Sequence, residues 1–474
     1  MSISPRPQYG YEITTYRPTA KVVLYSRGSR YELYNDLIQI TTSKSKSNPS
    51  GSFSIQLVDR IGTDGMTWQQ RIQTMDYCEI YAANAPQEPQ IIMRGFAINA
   101  QRIFDIGATG GPNRYTQING VDLGYIFQSN EIRYLWQFDP TAVVASPFQL
   151  SASYHIGPGP YSPKQFIEVV FNSFIAEGIS RMREQIPQIL DFKVVSDLPT
   201  GYQMNLFNVQ SFTGPYWNLL SYFKSAPFAE MFYLDLPNGP TFFYRQPPYR
   251  LLNGSMTGVF ESPSATLPTI NVKLADKSTH ALGKSANEMY AFFMVYSDQV
   301  SITPGGSYNY APFFGGAAFG KDSPSAIKGS IGTKSPSNPI YDETLEARFG
   351  FKALNVNTPF ISAFLPLPSG TSSSIKKSLQ QSWATGVSGT AVSMCTWLYN
   401  VYRNNDQFES GTITIHGRPD VMPGQYVRIN EWKMEYYVQS INHTIVQYQK
   451  WTADLSVIRG YTYGNSNQTV IYAY

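Results

Sequence analysis

Two cysteines in 474 residues, Cys78 and Cys395, are too few for a disulfide framework and have no metal-ligand spacing. The start, MSISPRPQYGYE, lacks the apolar segment of a secretion signal, so the expected compartment is a reducing cytoplasm. Histidine is scarce too. His155, His280, His416 and His443 leave few options for a His-based catalytic or metal centre, and no HExxH, CxxC or EF-hand pattern occurs. Charged residues make up 15% of the chain, against a usual share of about 25%. The two signs nearly cancel, 36 Lys and Arg against 33 Asp and Glu, and no basic run exceeds Lys376–Lys377. Both a dedicated nucleic-acid binder and a protein held on anionic lipid need a basic patch, so the sequence argues against either partner. The longest uncharged stretches, 140–163 and 353–375, are interrupted repeatedly by Pro and polar residues, and neither reads as a membrane span.

Aromatic residues are abundant instead, at 15%, with 34 Tyr, 28 Phe and 7 Trp. Together with the low charge they admit two readings: surface covered by other protein, or a β-rich fold that uses Tyr in its strands. At roughly 100–200 residues per domain, the length predicts two to four domains, each able to bury a core.

The first 120 residues read as strands. Apolar positions alternate at Val22/Leu24 and at Phe53/Ile55/Leu57 after the turn Asn48-Pro49-Ser50-Gly51. The pattern continues through 77–82, 91–104 and 114–122, with a Gly-rich link from Gly107 to Pro112. At residue 162 the period changes. Ser162 can cap a helix, Pro163 suits its first position, and Phe166/Val170/Phe174 with Ile167/Phe171/Ile175 form an apolar face ending near Gly178. A second helix is expected from Gly214-Pro215, with Trp217, Leu220 and Phe223 inward and a stop before Pro227. Residues 230–245 read as a hairpin around Pro237-Asn238-Gly239, and 288–296 as a strand buried on both faces. In 301–340, 19 of 40 residues are Gly, Ser or Pro, which predicts a loop or arm. Helix returns at 390–403 with Ala391, Met394, Leu398, Val401 and Tyr402 on one face, and strands at 411–417, 425–430, 435–448 and 451–460.

The expected fold is therefore mainly β with an α+β insertion. It divides into a first small antiparallel barrel (1–150), an α/β insertion (155–250), strands joining the second barrel (251–300), a loop and helical insertion (301–404) and the second barrel (405–474). The two β regions share an order. Tyr77–Ala82 matches Tyr426–Asn430, Ile92–Asp105 matches Tyr436–Tyr448, and Tyr115–Gly124 matches Trp451–Gly460, with Ala97-Ile98-Asn99-Ala100 opposite Ser440-Ile441-Asn442-His443. Such self-similarity argues for two copies of one unit. Three chains of two alike barrels could close a ring of six similar units.

Chemical motifs fail in context. Gly315–Lys321 has P-loop spacing, but Asp322 replaces the Ser/Thr that would hold magnesium, Pro312 interrupts the preceding strand, and SPSAIKGS cannot open a helix. Gly386-Val387-Ser388-Gly389 lacks a spacer residue of a nucleophile elbow. His416 and His443 could face each other across neighbouring strands, but hydrogen-bonded structural histidines are the favoured reading. Asp342, Glu343 and Glu346 form the densest carboxylate group and read as a solvated helix start rather than a glycosidase acid pair. No catalytic, cofactor-binding or metal-ligating residue is assigned. A tail-associated cell-wall hydrolase is the competing class.

Residues 411–460 resemble the closing barrel of contractile-tail phage baseplate hub proteins, the family of late control protein D and the hub part of VgrG proteins. The features are the turn Arg418-Pro419-Asp420 with Pro423-Gly424, the strand bearing Tyr437, Val438, Ile441 and His443, and a final strand with Thr452 and Leu455 ending Arg459-Gly460. IIMRGFAINAQRIFD and RYTQINGVDLGYIF are similar to the first tube domain of these hubs, and the Trp217 helix with its hairpin to their inserted domain. The resemblance implies a non-enzymatic homotrimer in the virion tail baseplate. Its pseudo-hexameric ring would sit between the six-fold tail tube and the three-fold central spike, with a channel for tape measure protein and DNA. The implied partners are further copies of the chain, the spike, the tube or its initiator, the tape measure and baseplate wedge proteins. A secretion or bacteriocin particle could use the same hub.

Overall fold

In a computed structural model, the residues described are 16–62, 64–106, 112–132, 162–198, 214–260, 262–273, 276–296, 338–358, 360 and 389–463. His155, most of the loop 301–340, the P-loop-like segment, Lys376–Lys377, Gly386–Ser388 and most of 140–163 lie outside them.

Strands dominate both ends of the chain. The first region supplies β1 (Pro18–Ser26), β2 (Ser29–Leu33), β3 (Leu37–Ser45), β4 (Ser52–Val58), β5 (Tyr77–Asn84), β6 (Gln90–Ile106) and β7 (Pro112–Asp122). The middle contributes β8 (Glu131–Ile132), β9 (Lys193–Asp197), β10 (Gly214–Pro215), β11 (Glu230–Leu236) and β12 (Gly239–Arg245), then β13 (Ile270–Val272), β14 (Lys277–Lys284), β15 (Phe292–Tyr296), β16 (Ile340–Tyr341) and β17 (Ala353–Asn357). The last region holds β18 (Glu409–His416), β19 (Tyr426–Ile429), β20 (Met434–Val446) and β21 (Lys450–Thr462).

Thirteen of these strands form one sheet, running β14-β18-β21-β20-β3-β4-β7-β6-β5-β1-β2, with β19 on β20 and β13 on β19. It comprises two lobes with the same neighbour order: β3, β4, β7, β6, β5, β1 in the first and β14, β18, β21, β20, β19, β13 in the second. Each lobe curls around its own core. The first buries Val22, Leu24, Ile55, Leu57, Ile80 and Ile118; the second buries Ile413, Ile415, Val427, Ile429, Val438 and Leu455. Among the described residues no strand pair closes either lobe into a barrel by itself.

The duplication is visible in the irregularities. β6 bulges between Ala97 and Asn99 against β7, and β20 bulges between Val438 and Ser440 against β21. β3 bulges between Leu37 and Gln39, and β14 between Lys277 and Thr279. Ahead of β5, Met75 N–H donates to the Ala97 carbonyl at 2.6 Å; ahead of β19, Gly424 N–H donates to the Val438 carbonyl at 2.9 Å. Both donors are left-handed, with φ of 69° and 84°. Bulges are specific to one backbone site, so they fix the correspondence. Ala97 matches Val438 and Asn99 matches Ser440, two residues away from the match read in the sequence. A shift of two keeps the same faces, which is why the hydrophobic pattern alone did not detect it.

Between the lobes, Ser162 accepts from Gln165 N–H at 3.2 Å in a capping box, and the helix Pro163–Val170 starts there. It does not end near Gly178. A π-helical turn, Phe171–Ile175, leads into Ala176–Gln185, which keeps Ile175 and Ile179 on the buried side. The next helix is Tyr216–Lys224, with Gly214–Pro215 in a strand; Tyr216, Leu219 and Leu220 are its buried residues and Trp217 is only half-buried. Ser225 at φ 49° ends it. The expected hairpin is β11 and β12, which β9 joins in parallel, and both hairpin strands are buried on both faces. β15 likewise lies between two cores, with β16 and β17 beside it. Helix 389–402 buries Ala391, Met394, Leu398 and Val401 against Phe293 and Phe228.

Candidate assembly site: the seam between lobes

The lobes meet strand to strand. β20 pairs with β21 along its whole length; on its other edge β19 covers Met434–Tyr437 and β3 then takes over, from Ser440 opposite Ser45 to Val446 opposite Gln39. The β20–β21 hairpin thereby projects over the first lobe. Ile445 and Trp451, opposite each other near its tip, are buried in the first lobe's core. Side chains lock the overlap at the hairpin tip. Gln447 accepts from Ala20 N–H at 2.8 Å and donates to the Ala20 carbonyl at 3.1 Å. Tyr16 O–H donates to the Trp451 carbonyl and accepts from its N–H, both at 2.8 Å. Asn84 donates to the Gly417 carbonyl at 2.9 Å. At Gly417 an added Cβ would lie 2.0 Å from the Trp451 ring, so only glycine lets the indole sit there.

Lys44 of β3 and Lys46 just beyond it extend the seam to the α/β unit. Lys44 reaches Asp235 of β11 at 2.8 Å and Asp122 at 3.0 Å, all three buried. Lys46 pairs with Glu230, which also accepts from Arg245 Nε at 2.8 Å and from Tyr437 O–H at 2.6 Å. Burial alone would push the Lys44 ammonium down; the carboxylates of Asp122 and Asp235 outweigh it and hold it above the ordinary lysine value. For Lys46 burial wins over Glu230 and its value falls. Burial raises Asp122. Glu230 stays below the ordinary carboxylate value because Lys46 and Arg245 outweigh the burial that would raise it. A paired buried charge missing its partner is strongly destabilising, so this network fixes how the α/β unit sits on the seam.

The sequence-predicted chemistry disperses. β21 lies between β18 and β20, so His416 and His443 are not on neighbouring strands as expected. His443 Nδ1 accepts from Trp451 Nε1 at 3.2 Å, His416 packs tilted against Tyr16 with ring centroids 4.3 Å apart, and His280 packs on Trp432 at 5.0 Å. The helix Glu343–Phe349 does start at the acidic cluster, but Asp342 is buried rather than solvated: it caps Thr344 and Leu345 N–H and accepts from Tyr399 O–H at 2.6 Å. Cys78 and Cys395 are free and buried, and burial pushes both thiols up, Cys395 to about 12. Among the described residues no group of three or more His, Cys, Asp or Glu could hold a metal. No described helix is long and apolar enough to cross a membrane.

No protein-family model and no curated protein matches the chain. Solved structures do. The chain is similar to phage tail proteins. The 43 kDa tail protein of prophage MuSo2 from Shewanella oneidensis matches at TM-score 0.45 and 12% identity, over 93% of this chain and 98% of that one. A tail protein from Neisseria meningitidis matches at TM-score 0.43 and 11% identity, over 93% and 96%. A type VI secretion component from E. coli, described as similar to phage T4 tail proteins gp27 and gp5, matches at TM-score 0.40 and 8% identity, over 91% and 76%.

Of the two strands that make the seam, β20 is legible at 435–448 and β3 is not singled out. β3, LIQITTSKS, is largely polar because its backbone makes the seam contact, while Lys44 meets buried carboxylates. β14, with its lysines, His and Gly, lies within 251–300, where joining strands are expected, but shows no alternation that marks its bounds. The available signal is lysine on a short polar strand, which is how sheet edges are protected until paired.

Proposed function

We propose that this chain is a structural hub of a contractile tail baseplate, a homotrimer whose six lobes form a ring between the six-fold tube and the three-fold spike. The observation that carries the reading is the seam: two lobes of alike strand order join edge to edge in a single sheet, the arrangement a ring of such lobes needs at every joint. Sequence resemblance to baseplate hubs supports it. The ring-forming parts are then 1–150, 405–474 and the joining strands of 251–300, with 155–250 and 301–404 as insertions. Spike, tube or tube initiator, tape measure and wedge proteins are the partners of its faces. The channel passes tape measure and DNA, the place of action is the virion tail, and the chain performs no chemistry of its own. The hub of a secretion or bacteriocin particle is the same reading in another particle, which neighbouring genes distinguish.

Two assays test this. Native mass spectrometry should give three times the 53.2 kDa chain mass; a chain that stays monomeric at high concentration and with its tail partners added contradicts the ring. Purified protein should leave peptidoglycan and polysaccharide unchanged. Turnover abolished by an Asp or Glu substitution would establish the hydrolase instead.

A further inference from the structure

The seam is used once within the chain, and its two halves recur unused. β6 corresponds to β20, and β5 leaves its edge at Phe96, as β19 leaves β20 at Tyr437. Beyond that point β20 is covered by β3. On β6 no strand among the described residues covers Asn99–Asp105 on that side. β14 corresponds to β3, and its outer edge, the end of the sheet, has no partner strand among the described residues either. Phe104 occupies the position of Ile445. Ile445 is 1% exposed and Phe104 is 63% exposed. Arg114, opposite Phe104, occupies the position of Trp451 and stacks on the Phe104 ring at 4.9 Å. On the β14 side, Thr279, His280 and Ala281 are exposed and Leu282 is half-buried.

We propose that the β6–β7 hairpin clasps the second lobe of another copy of this chain, pairing β6 with that copy's β14 as β20 pairs with β3. The proposal rests on the trimer reading and specifies its joint. The register follows from the bulges. Ile441 opposite Lys44, His443 opposite Thr42 and Ile445 opposite Ile40 become Ala100 opposite Lys284, Arg102 opposite Leu282 and Phe104 opposite His280. The occupant is a second copy because the missing edge is present in this sequence, in matching order and with a matching bulge. The contact joins two different patches, so it propagates from chain to chain and ends only when a ring closes. It also covers the exposed Phe104 and both open edges, which otherwise invite aggregation.

Cysteine pairs read the register. Directly opposed residues of antiparallel strands lie about 4.5–5.5 Å apart at Cα, within disulfide range, whereas a two-residue offset is out of range. Oxidation of the double variant Ala100→Cys/Lys284→Cys should give covalent trimer on a non-reducing gel, and Ala100→Cys/Leu282→Cys should not. Mixed single variants Ala100→Cys and Lys284→Cys should give covalent dimer only. Native mass of the reduced variants is measured alongside. Three copies by mass with no cross-link, or with the offset pair alone cross-linked, overturns the joint and leaves the trimer standing. A monomer by mass overturns both. As an independent arm, Phe104→Ser should shift the native mass toward monomer while leaving the melting temperature of the monomer unchanged, since the ring is exposed in the single chain. An unchanged trimer would contradict the clasp.

Discussion

Tyr437 donates its hydroxyl to Glu230, and the same pairing recurs: Tyr233 with Asp235, Tyr436 with Glu409, Tyr461 with Glu435, Tyr399 with Asp342, Tyr81 with Glu79. Buried carboxylates here accept from phenols as well as from lysine and arginine, as Glu230 and Glu435 do. That fits a chain rich in Tyr and poor in charge, and of the two readings of the aromatic excess it supports use of Tyr inside a β-rich fold, since Tyr77, Tyr244, Tyr341, Tyr436 and Tyr437 are among the most buried side chains. Tyr437→Phe should lower stability by about 1–3 kcal/mol, the range for stripping a partner from a buried acceptor, read by chemical denaturation. Lys44→Met leaves Asp122 and Asp235 without their buried cation and should cost roughly 3–5 kcal/mol. The network also sets a pH response. Glu230 has a folded value below its ordinary 4.5, so its contribution is complete above that pH and disappears as acid titrates through the folded value. Asp122, raised above its ordinary 3.8, works in the opposite sense and gains stability on protonation. The fall in melting temperature on acidification below 4.5 should therefore be smaller in Glu230→Gln than in the parent; an equal fall would place the acid sensitivity elsewhere.

At the scale of elements, alternation and helix capping were legible. Phe53/Ile55/Leu57, the Ser162-Pro163 start and the Asn238-Gly239 turn carry their own chemistry, and each stands where the pattern put it. What was not legible depends on who pairs with whom. β3 shows no strong alternation because the ladder to β20 is made by backbone, and the His416/His443 expectation failed because sequence order does not say that β21 lies between their strands. The bulges are likewise invisible, since a bulge inserts a residue without any fixed side chain. Gly417 is where element and seam meet. Gly417→Ala would push Trp451 from its site and should cost about 1–3 kcal/mol through overpacking, and Trp451→Ala about 3–5 kcal/mol through the cavity it leaves. Both should loosen the seam before either lobe melts, visible as early hydrogen exchange at Thr41–Ser45 and Ser440–Thr444. Uniform exchange across both lobes would mean the seam is no weaker than the lobes it joins.

For the whole molecule, one sheet carries both lobes, and the α/β unit is tied onto their junction by Lys44 and Lys46. In the proposed hub, a chain built this way holds two of six ring positions, so three copies suffice, and every joint can use one edge chemistry. The proposed stoichiometry and channel both descend from that single idea. End-on class averages of the assembled protein by electron microscopy test it most directly. The account predicts six lobes of similar size around an open channel, with three-fold modulation from the α/β units; a compact particle with no channel, or a ring with any other number of lobes, would contradict it.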